Sequence, residues 1–479
     1  MARSSSRWWA SATWWWATDI WWRVSVIGLS LAAVVTVGYA LTRDTRYSRE
    51  YMGDLRNRVV GARLIKDGYS PYFYKYSPGD PIGYYDPQAF DIYKVSICTS
   101  TPFLHRLLIP LARLPFATIM RVWMVVLYLL YFGMAAYAFA IARDAGARVA
   151  VVVTALLFLL TNAWALHAKY GQTYLLIPAL AMLTFALRRR PLAAGLAAAM
   201  LVMVRPNAAL FLAPFLLMRE LKWTFWIPAI VALAWVLLSP RERNLWRDYG
   251  TMVSEQVKIH QDLGPRRRPV WTDPGYKEWE GIDMDTVRAR ISRDPTRIYS
   301  ENGNVFVLYR KMTGQRMPVA VLGLLGCFAV LVVAGALVVV RRKRGRPGER
   351  SPTNGRAGEA HWKPDPARLA IIGFCLYMIS DLFSPIYRHA YYGVQWIMPL
   401  LIAASLYRSR EAGLYYRRKS NLHHHRELLL YGGLLACLLL NIIHLPFVRM
   451  GNTIGEYGFL ILLLIIGFAQ RVDNVPREN

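Results

Sequence analysis

The sequence predicts an all-α polytopic membrane protein, and three observations lead to that class. Hydrophobic residues make up 55% of the 479 positions, whereas charged residues make up only 18%. Apolar runs long enough to cross the hydrocarbon core recur along the whole chain. Much of the net charge of +28 lies in short loops between these runs, where Lys and Arg orient membrane spans. This location argues against nucleic-acid binding as the reason for the basic composition.

About twelve spans are predicted, because roughly 20 apolar residues cross the hydrocarbon core. They lie near residues 24–41, 119–142, 149–166, 173–187, 191–204, 207–219, 223–239, 317–340, 367–384, 394–407, 427–444 and 455–470. Together they define a transmembrane domain over 24–470. The two short runs within 191–219 meet at Arg205-Pro206-Asn207, and one bent crossing followed by a re-entrant piece is the alternative there. The four cysteines show no CxxC spacing, so neither a zinc site nor a disulfide framework is predicted.

The distribution of Lys and Arg predicts the orientation of the spans. The loops 341–366 and 408–426 are strongly basic, and twelve spans place them on one side with both termini. That side is predicted to be cytoplasmic and to include the tail 471–479. The loops 42–118 and 240–316 then lie outside, and both are turn-rich and aromatic, as expected of segments folded over a helix bundle. The cytoplasmic loop 341–366 is rich in Gly, Pro, Ser and Arg, which predicts a disordered linker.

The cytoplasmic segment 1–23 is rich in tryptophan and carries several arginines. Tryptophan favours the headgroup level of a bilayer, so an amphipathic segment at the membrane surface is predicted. A cleaved signal peptide is the alternative interpretation. The apolar run that follows is long for such a peptide, and no small-x-small cleavage site follows the run.

Polar residues collect at span ends, and an ionisable group at membrane depth is a functional candidate because it is costly to place there. Taken one at a time, each could be an ordinary interfacial anchor. With twelve spans, however, all of them fall on the exterior side, which predicts a single exterior site. The candidates are Asp54, Arg58, His105, Lys169, Gln172, Arg205, Asn207, Arg388, His389 and Tyr391.

Asp54 is the candidate catalytic base of this site. It lies about a dozen residues beyond the first apolar run, with several arginines nearby, where a carboxylate could deprotonate an acceptor hydroxyl. Arg, Lys and His side chains could stabilise a departing phosphate. The alternative is a solvated loop acid. The chain lacks a nucleophile elbow, a P-loop, an HExxH motif and a dinucleotide fingerprint, so inverting glycosyl transfer fits its parts best.

The order of these features resembles glycosyltransferase family 87, the polyprenyl-phosphate-mannose-dependent membrane mannosyltransferases of the GT-C fold. The similar stretches, spread over roughly residues 20–410, are MGDLRNRVVGARLIKDGYSPY, HAKYGQTYLLIPALAML, AAGLAAAMLVMVRPNAALFLAPFLLMRELKW and SPIYRHAYYGVQWIMPLL. The family usually has Lys-Pro where this chain has Arg205-Pro206, which keeps a cation but changes its hydrogen-bond geometry. The loop 240–316 and the tryptophan-rich segment have no counterpart in the resemblance.

The resemblance implies that Asp54 is the catalytic base and that His389 lies close to the donor phosphate. Gln172 and Arg205 match family motif positions without a defined role. The expected protein is a GT-C-type bundle in the cell membrane, with its exterior loops over an active site on the exterior face. It would move a sugar, mannose in this family, from a polyprenyl phosphate to an envelope glycolipid or glycan.

Neither a metal nor another cofactor is expected, because a lipid monophosphate carries little charge and cationic side chains can serve it. The partners expected are the lipid bilayer, the polyprenyl-phosphate sugar and the acceptor, and no nucleic acid. A transporter or flippase of a lipid-linked intermediate is the alternative function. That class would place charged residues in the middle of spans and would show weak internal repeats. A structural membrane protein would leave the one-sided polar cluster unexplained.

Overall fold

The computed structural model describes residues 6–47, 52–87, 94–96, 98–217, 222–261, 275–291, 303–345, 365–407, 420–443 and 451–469. Within these ranges the chain is mostly helical, with one two-stranded hairpin. Most of the predicted linker (346–364) and the tail 471–479 lie outside the described residues.

The described residues form seventeen α-helices. They are α1 (Ser6–Tyr47), α2 (Gly53–Lys66), α3 (Pro102–Leu108), α4 (Phe116–Ile141), α5 (Ala145–Leu159), α6 (Asn162–Tyr170), α7 (Leu176–Ala186), α8 (Pro191–Val204), α9 (Lys222–Leu238), α10 (Pro240–His260), α11 (Met284–Ile291), α12 (Val305–Thr313), α13 (Val319–Gly345), α14 (Pro366–Leu382), α15 (Ile397–Ser405), α16 (Ser420–Leu440) and α17 (Gly451–Phe468). The 3₁₀ segments are Ile82–Tyr84, Leu111–Arg113, Pro206–Leu217 and Ala390–Trp396, and the hairpin strands are β1 (Glu278–Trp279) and β2 (Ile282–Asp283).

Several helices are long and apolar enough to cross a membrane, so the chain is a polytopic α-helical membrane protein. Among the described residues there are four such stretches, Val26–Tyr47, Phe116–Ile141, Val319–Val340 and Gly451–Phe468. A fifth results if α5 and α6, which meet at a bend of 56°, form one broken span. Four other predicted spans correspond to shorter apolar helices. The predicted number of twelve spans is therefore not confirmed.

The first helix is longer than a membrane crossing requires. Its 42 residues correspond to about 63 Å at 1.5 Å per residue, whereas the hydrocarbon core is about 30 Å thick. The backbone therefore runs without a break from the tryptophan-rich segment into the predicted first span. Large apolar side chains on the second half of α1, such as Leu31 and Val34, are exposed on the surface of the protein, as expected of a lipid-facing helix.

The chain breaks at Arg205-Pro206, between α8 and the 3₁₀ segment Pro206–Leu217. Proline lacks a backbone N–H and disfavours helical backbone at the preceding residue. Arg205 is accordingly extended, with φ −145° and ψ 96°. The two apolar halves therefore form separate helical pieces, and the cation stands at the joint between them.

Helix α14 lies at the centre of the bundle, and nearly all of its residues are buried. It packs against Pro206–Leu217, α17 and α13. Gly373 of α14 lies so close to the carbonyl of Phe211 that a Cβ atom has no room there. This close approach lets the irregular 206–217 segment pack against a regular helix, and it carries Arg205 to the end of α14.

A buried carboxylate joins α1 to its neighbours. The side chain of Asp44 is fully buried and accepts hydrogen bonds from Arg43 Nε (2.8 Å), Tyr128 Oη (2.8 Å) and Trp164 Nε1 (2.8 Å). These donors lie on α1, α4 and α6. A charged group shared by three donors away from water makes a strong local link, and its loss leaves buried donors without a partner.

We expect Asp44→Ala to destabilise the protein by roughly 3–5 kcal/mol, because the substitution leaves buried donors and a cation uncompensated. The measurement is the melting temperature of the detergent-solubilised protein. Thr45→Ala, at an exposed neighbouring position on the same helix, serves as the control and should melt like the unchanged protein. Equal melting temperatures for the two variants would contradict the assignment of Asp44 as a link between helices.

Candidate active site

Helix α2 carries the predicted base in its first turn. Asp54 follows Gly53 at the start of the helix, where the helix dipole favours a negative charge. Although α2 is rich in charged residues, most of its residues are buried, including Arg56 and Arg58. The Asp54 side chain itself is partly exposed. A polar helix buried in this way must find a partner for each charge inside the protein.

A left-handed glycine brings a second residue to Asp54. Gly171 ends α6 with φ 63° and ψ 43°, a conformation that strains other residues. A Cβ atom at this position would lie 2.7 Å from Leu55 Cβ and 2.8 Å from Met52 Cβ, both beside Asp54. Only glycine therefore allows the end of α6 to pack this closely on α2. The next residue, Gln172, reaches the carboxylate.

Gln172 connects Asp54 with Arg58. Its amide Nε2 donates a hydrogen bond to Asp54 Oδ2, and its Oε1 accepts one from Arg58 Nη2 at 2.7 Å. Arg58 Nη1 also donates to the main-chain carbonyl of Asp54 at 2.5 Å. The position of Gln172 is held in turn by Trp123, whose Nε1 donates to the Gln172 carbonyl at 3.3 Å. The three residues thus form one closed network, which orients the carboxylate.

Burial raises the pKa of Asp54 from its ordinary value to about 6. The positive charge of Arg58 and the hydrogen bond from Gln172 oppose this shift, whereas the charge of Asp86 adds to it. A carboxyl group with a pKa near 6 is ionised at neutral pH, and it is a stronger base than an ordinary aspartate. The environment of Asp54 therefore suits proton abstraction from a hydroxyl.

Asp54 faces a cavity of about 960 Å³. Six of the predicted site residues line it, and they come from three separate stretches of the chain. They are Asp54, Arg58, Arg205, Asn207, His389 and Tyr391. Gln172 joins this set through its hydrogen bonds to Asp54 and Arg58. The cavity is large enough for a substrate of several sugar-sized units, since typical ligand pockets measure about 300–1,000 Å³.

Arg205 is anchored by a carboxylate at one side of its guanidinium group. Its Nη2 donates to Asp381 Oδ1 at 2.6 Å, and its guanidinium carbon lies 5.7 Å from the centre of the Tyr174 ring. About a quarter of the Arg205 side chain remains exposed. The residue therefore offers a fixed cation to the cavity.

Arg388 lies behind the cavity in a buried ion-pair chain. Its Nε donates to Asp381 Oδ2 at 2.9 Å, and its Nη1 donates to Glu456 of α17. Only 2% of the Arg388 side chain is exposed. Asp381 thus bridges Arg388 to Arg205, and Arg388 in turn connects the cavity wall with α17. Arg388 therefore stabilises the wall of the cavity from behind.

Two other predicted residues lie away from the cavity lining. His105 is fully buried under α2, with its Nδ1 3.0 Å from the Arg58 carbonyl. Burial lowers the pKa of His105 to about 4, so the ring is neutral at pH 7. The Nζ atom of Lys169 lies 5.9 Å from the ring centres of Tyr47 and Tyr170. Neither residue is part of the cavity lining.

Tyrosine rings cover the wall near His389. The ring centres of Tyr174 and Tyr391 are 6.0 Å apart and stacked, and His389 lies 5.1 Å from Tyr391. Tyr392 joins this group, and its hydroxyl accepts a hydrogen bond from Tyr174. Such rings present large amphipathic surfaces of the kind that contact sugar faces.

Helix α10 contributes a wall of the cavity, although none of the predicted site residues lies on this helix. Its cavity-lining side chains are Tyr249, Met252, Val253, Gln256 and His260. Their spacing of three, one, three and four residues places them on one face of a helix, which was the signal available in the sequence. The helix is fixed at its start, where buried Glu242 forms an ion pair with Arg106 of α3.

Within the described ranges, no group of three or more His, Cys, Asp or Glu side chains is arranged to hold a metal ion. Phosphate recognition by cationic side chains, without a metal, stays a prediction.

Comparison with known proteins identifies one family. The model of glycosyltransferase family 87 matches residues 99–354, more than half of the 479-residue chain. The matched region contains Gln172, Arg205 and α10, whereas Asp54 and His389 lie outside it. No curated protein and no solved structure matches the chain.

We expect the rate of sugar transfer to rise with pH through about 6, because only the ionised form of Asp54 can accept a proton. Asp54→Asn keeps the shape of the side chain but removes its basicity, so turnover should fall by at least ~10². The pH–rate profile of kcat measures both effects. Asp86→Asn is the matched control, since it removes a nearby carboxylate and should only move the acidic limb to slightly lower pH. Near-normal turnover of Asp54→Asn would exclude Asp54 as the base.

Proposed function

Because the chain belongs to glycosyltransferase family 87, we propose that it is an inverting glycosyltransferase that uses a polyprenyl-phosphate sugar as donor. The sugar proposed is mannose, on the basis of the family resemblance. The acceptor proposed is an envelope glycolipid or glycan at the exterior face of the cell membrane. The exterior location rests on the distribution of Lys and Arg among the loops.

The observation that carries this proposal is the meeting of a basic carboxylate with several cations in one cavity. Asp54, Arg58, Arg205 and His389 all line that cavity. In the proposed reaction, Asp54 takes the proton of an acceptor hydroxyl while the oxygen of that hydroxyl attacks the anomeric carbon of the donor sugar. The bond between that carbon and the phosphate oxygen breaks, and the phosphate leaves with the electron pair. Attack from the face opposite the phosphate inverts the configuration at the anomeric carbon.

The cations would stabilise the charge that develops on the departing phosphate. Arg205 suits this task because Asp381 holds its guanidinium group in place at 2.6 Å. His389 would add a charge-assisted hydrogen bond. We propose that these groups replace the metal ion that a nucleotide-diphosphate donor would call for.

The apolar wall of the same cavity supports a lipid-linked donor. It consists of one face of α13 together with Phe383, which lies directly against Gly326. The members on α13 are Gly323, Gly326, Cys327, Val330 and Leu331. This helix contains one of the candidate membrane spans, Val319–Val340. An isoprenoid chain could lie along this face while its phosphate meets Arg205 and His389. A nucleotide would find no polar partner on such a wall.

The wall formed by α10 suits a neutral, hydroxyl-rich acceptor. Tyr249 and Gln256 provide hydrogen-bonding groups that can pair with sugar hydroxyls. His260 is oriented by the main-chain N–H of Tyr387, which donates to its Nδ1 at 3.2 Å. We propose that the acceptor enters beside α10 and places its hydroxyl next to Asp54, across the cavity from the lipid chain.

The direct test is transfer by the purified protein. The protein would be incubated with radiolabelled polyprenyl-phosphate sugars, in parallel with nucleotide sugars, and with a membrane lipid extract as the source of acceptor. We expect a labelled product from a polyprenyl-phosphate hexose, no product with Asp54→Asn, and no loss of activity in EDTA. Transfer from a nucleotide sugar that needs Mn²⁺ would contradict the proposed donor. Movement of the donor across the membrane of a vesicle, without cleavage of its sugar–phosphate bond, would favour a flippase.

A substitution on α13 tests whether the lipid chain lies along that helix. Gly323 lines the cavity, and a Cβ atom added to it would have no heavy atom within 4 Å, so the side chain of Gly323→Leu begins in open space at the cavity. We expect about a 10-fold rise in KM for a long-chain donor, equivalent to roughly 1.4 kcal/mol. A donor shortened to a few isoprene units should be affected less.

The matched control is Gly335→Leu, which lies about three turns further along the same helix and is equally open. Gly335 is exposed and lies outside the cavity lining, so this variant should leave the donor KM unchanged. If both variants raise KM alike, or if neither does, α13 does not bind the lipid chain.

A further inference from the structure

The hairpin β1–β2 in the second large loop has an unusual residue at its tip. The strands pair Glu278 with Asp283 and Trp279 with Ile282, which leaves Glu280 and Gly281 as a two-residue turn. Both have positive φ angles, 48° and 80°. Turns of this kind favour Asn-Gly or Gly-Gly, and a glutamate with positive φ is uncommon. A residue held in an unfavourable conformation suggests a use for its side chain.

The Glu280 carboxylate is held by two arginines of α2. It accepts hydrogen bonds from Arg63 Nη1 at 2.8 Å and from Arg56 Nη1 at 3.0 Å. It also accepts one from the main-chain N–H of Phe116 at 2.9 Å, and the Glu280 carbonyl accepts one from Ala117 at 3.2 Å. The hairpin tip is therefore wedged between α2 and the start of α4.

Arg56 is enclosed on every side by this arrangement. Its side chain is fully buried, and the ring centre of Trp279 lies 3.7 Å from its guanidinium carbon. The carbonyl of Tyr85 accepts hydrogen bonds from its Nε (3.0 Å) and Nη2 (2.7 Å). A buried guanidinium group needs all of these partners. Loss of Glu280 would remove a carboxylate that lies 3.0 Å from the buried guanidinium group of Arg56.

The hairpin acts on the side of α2 that faces away from the cavity. Asp54 and Arg56 are two residues apart, which corresponds to about 200° around a helix. Asp54 and Arg58, four residues apart, share the cavity side. Arg56 and Arg63 are seven residues apart, or about two turns, so they share the opposite side. The contacts of Glu280 with Arg56 and Arg63, two turns apart, oppose both rotation and sliding of α2.

We propose that Glu280 and Arg56 are positioning residues for Asp54. The exterior hairpin clamps α2 so that the carboxylate of Asp54 stays in reach of Gln172 and of the acceptor hydroxyl. The catalytic part of this inference rests on the proposed function, whereas the clamp itself does not.

The clamp persists over the pH range in which Asp54 titrates. Burial raises the pKa of Glu280, but the charges of Arg56 and Arg63 and the hydrogen bond from Arg63 outweigh that effect and hold the pKa below its ordinary value. Glu280 is therefore ionised near pH 6, where Asp54 changes its charge.

The test compares Glu280→Gln with Glu278→Gln. Both variants remove one negative charge from the same hairpin, but Glu278 is exposed and lies on the strand rather than at the wedged tip. We expect Glu280→Gln to lower kcat by about 10–100-fold, since a small misplacement of a catalytic group is costly. The donor KM should change by less than about twofold, because that loss is confined to the transition state. Glu278→Gln should match the unchanged enzyme.

Combination with Asp54→Asn separates positioning from a general structural effect. If Glu280 acts through Asp54, Glu280→Gln should not lower the residual rate of Asp54→Asn any further. A loss of the same factor in both backgrounds would overturn the proposal. Glu280→Gly keeps the positive φ angle without strain, so it should be as slow as Glu280→Gln if the carboxylate matters. A wild-type kcat in Glu280→Gly would mean that the backbone conformation of the turn is needed but the carboxylate is not.

Hydrogen exchange provides a readout that needs no substrate. Amides of residues 53–66 should exchange faster in Glu280→Gln than in Glu278→Gln or the unchanged protein. Equal exchange in all three proteins would overturn the clamp, whatever the activity shows. Full turnover of Asp54→Asn would instead refute the proposed base while faster exchange still supported the clamp. Unchanged kcat in Glu280→Gln, with Asp54→Asn inactive, would leave the proposed function intact and remove the positioning role.

Discussion

The burial of a charged helix is the constraint on which the site depends. Helix α2 carries Asp54, Arg56 and Arg58 into the interior, where an unpaired charge would cost several kcal/mol. Each charge is matched by a residue far away in the chain. Gln172 forms hydrogen bonds with Asp54 and Arg58, whereas Glu280 forms an ion pair with Arg56. The pairing that makes burial tolerable thus also determines which way the carboxylate points.

A second chain of charges does the same for the part of the cavity wall that carries Arg205. Arg205, Asp381, Arg388 and Glu456 alternate in sign, and their contacts run from the cavity into the bundle. The inner members are almost fully buried, so removing one would leave its neighbour uncompensated. Arg205 is therefore held at one end by a rigid series of pairs. A preformed cation of this kind needs little reorganisation when phosphate charge develops.

The fold class and the placement of Asp54 at a functional site could be predicted from local sequence patterns. The number of spans and the contact partners of the buried charged side chains could not. Apolar length indicates helices, but the predicted span 149–166 is divided between α5 and α6, which meet at a bend of 56° that a hydropathy pattern does not register. His105 and Arg388 look like site residues in the sequence because both are ionisable groups near span ends. Only tertiary burial separates them from the cavity lining. Glu280 lies more than 200 residues from Arg56, and no local pattern predicts such a contact.

The asymmetry of the cavity follows from where its walls come from. Segments outside the candidate membrane spans supply most of its polar groups, such as Asp54, Gln256 and His389, whereas α13 supplies an apolar face. A substrate that fits both must be polar at one end and hydrocarbon at the other, with its reactive bond at the boundary. A lipid-phosphate sugar has that order of parts. In the proposed reaction, a lipid-linked donor held at the bilayer surface would present that bond to Asp54.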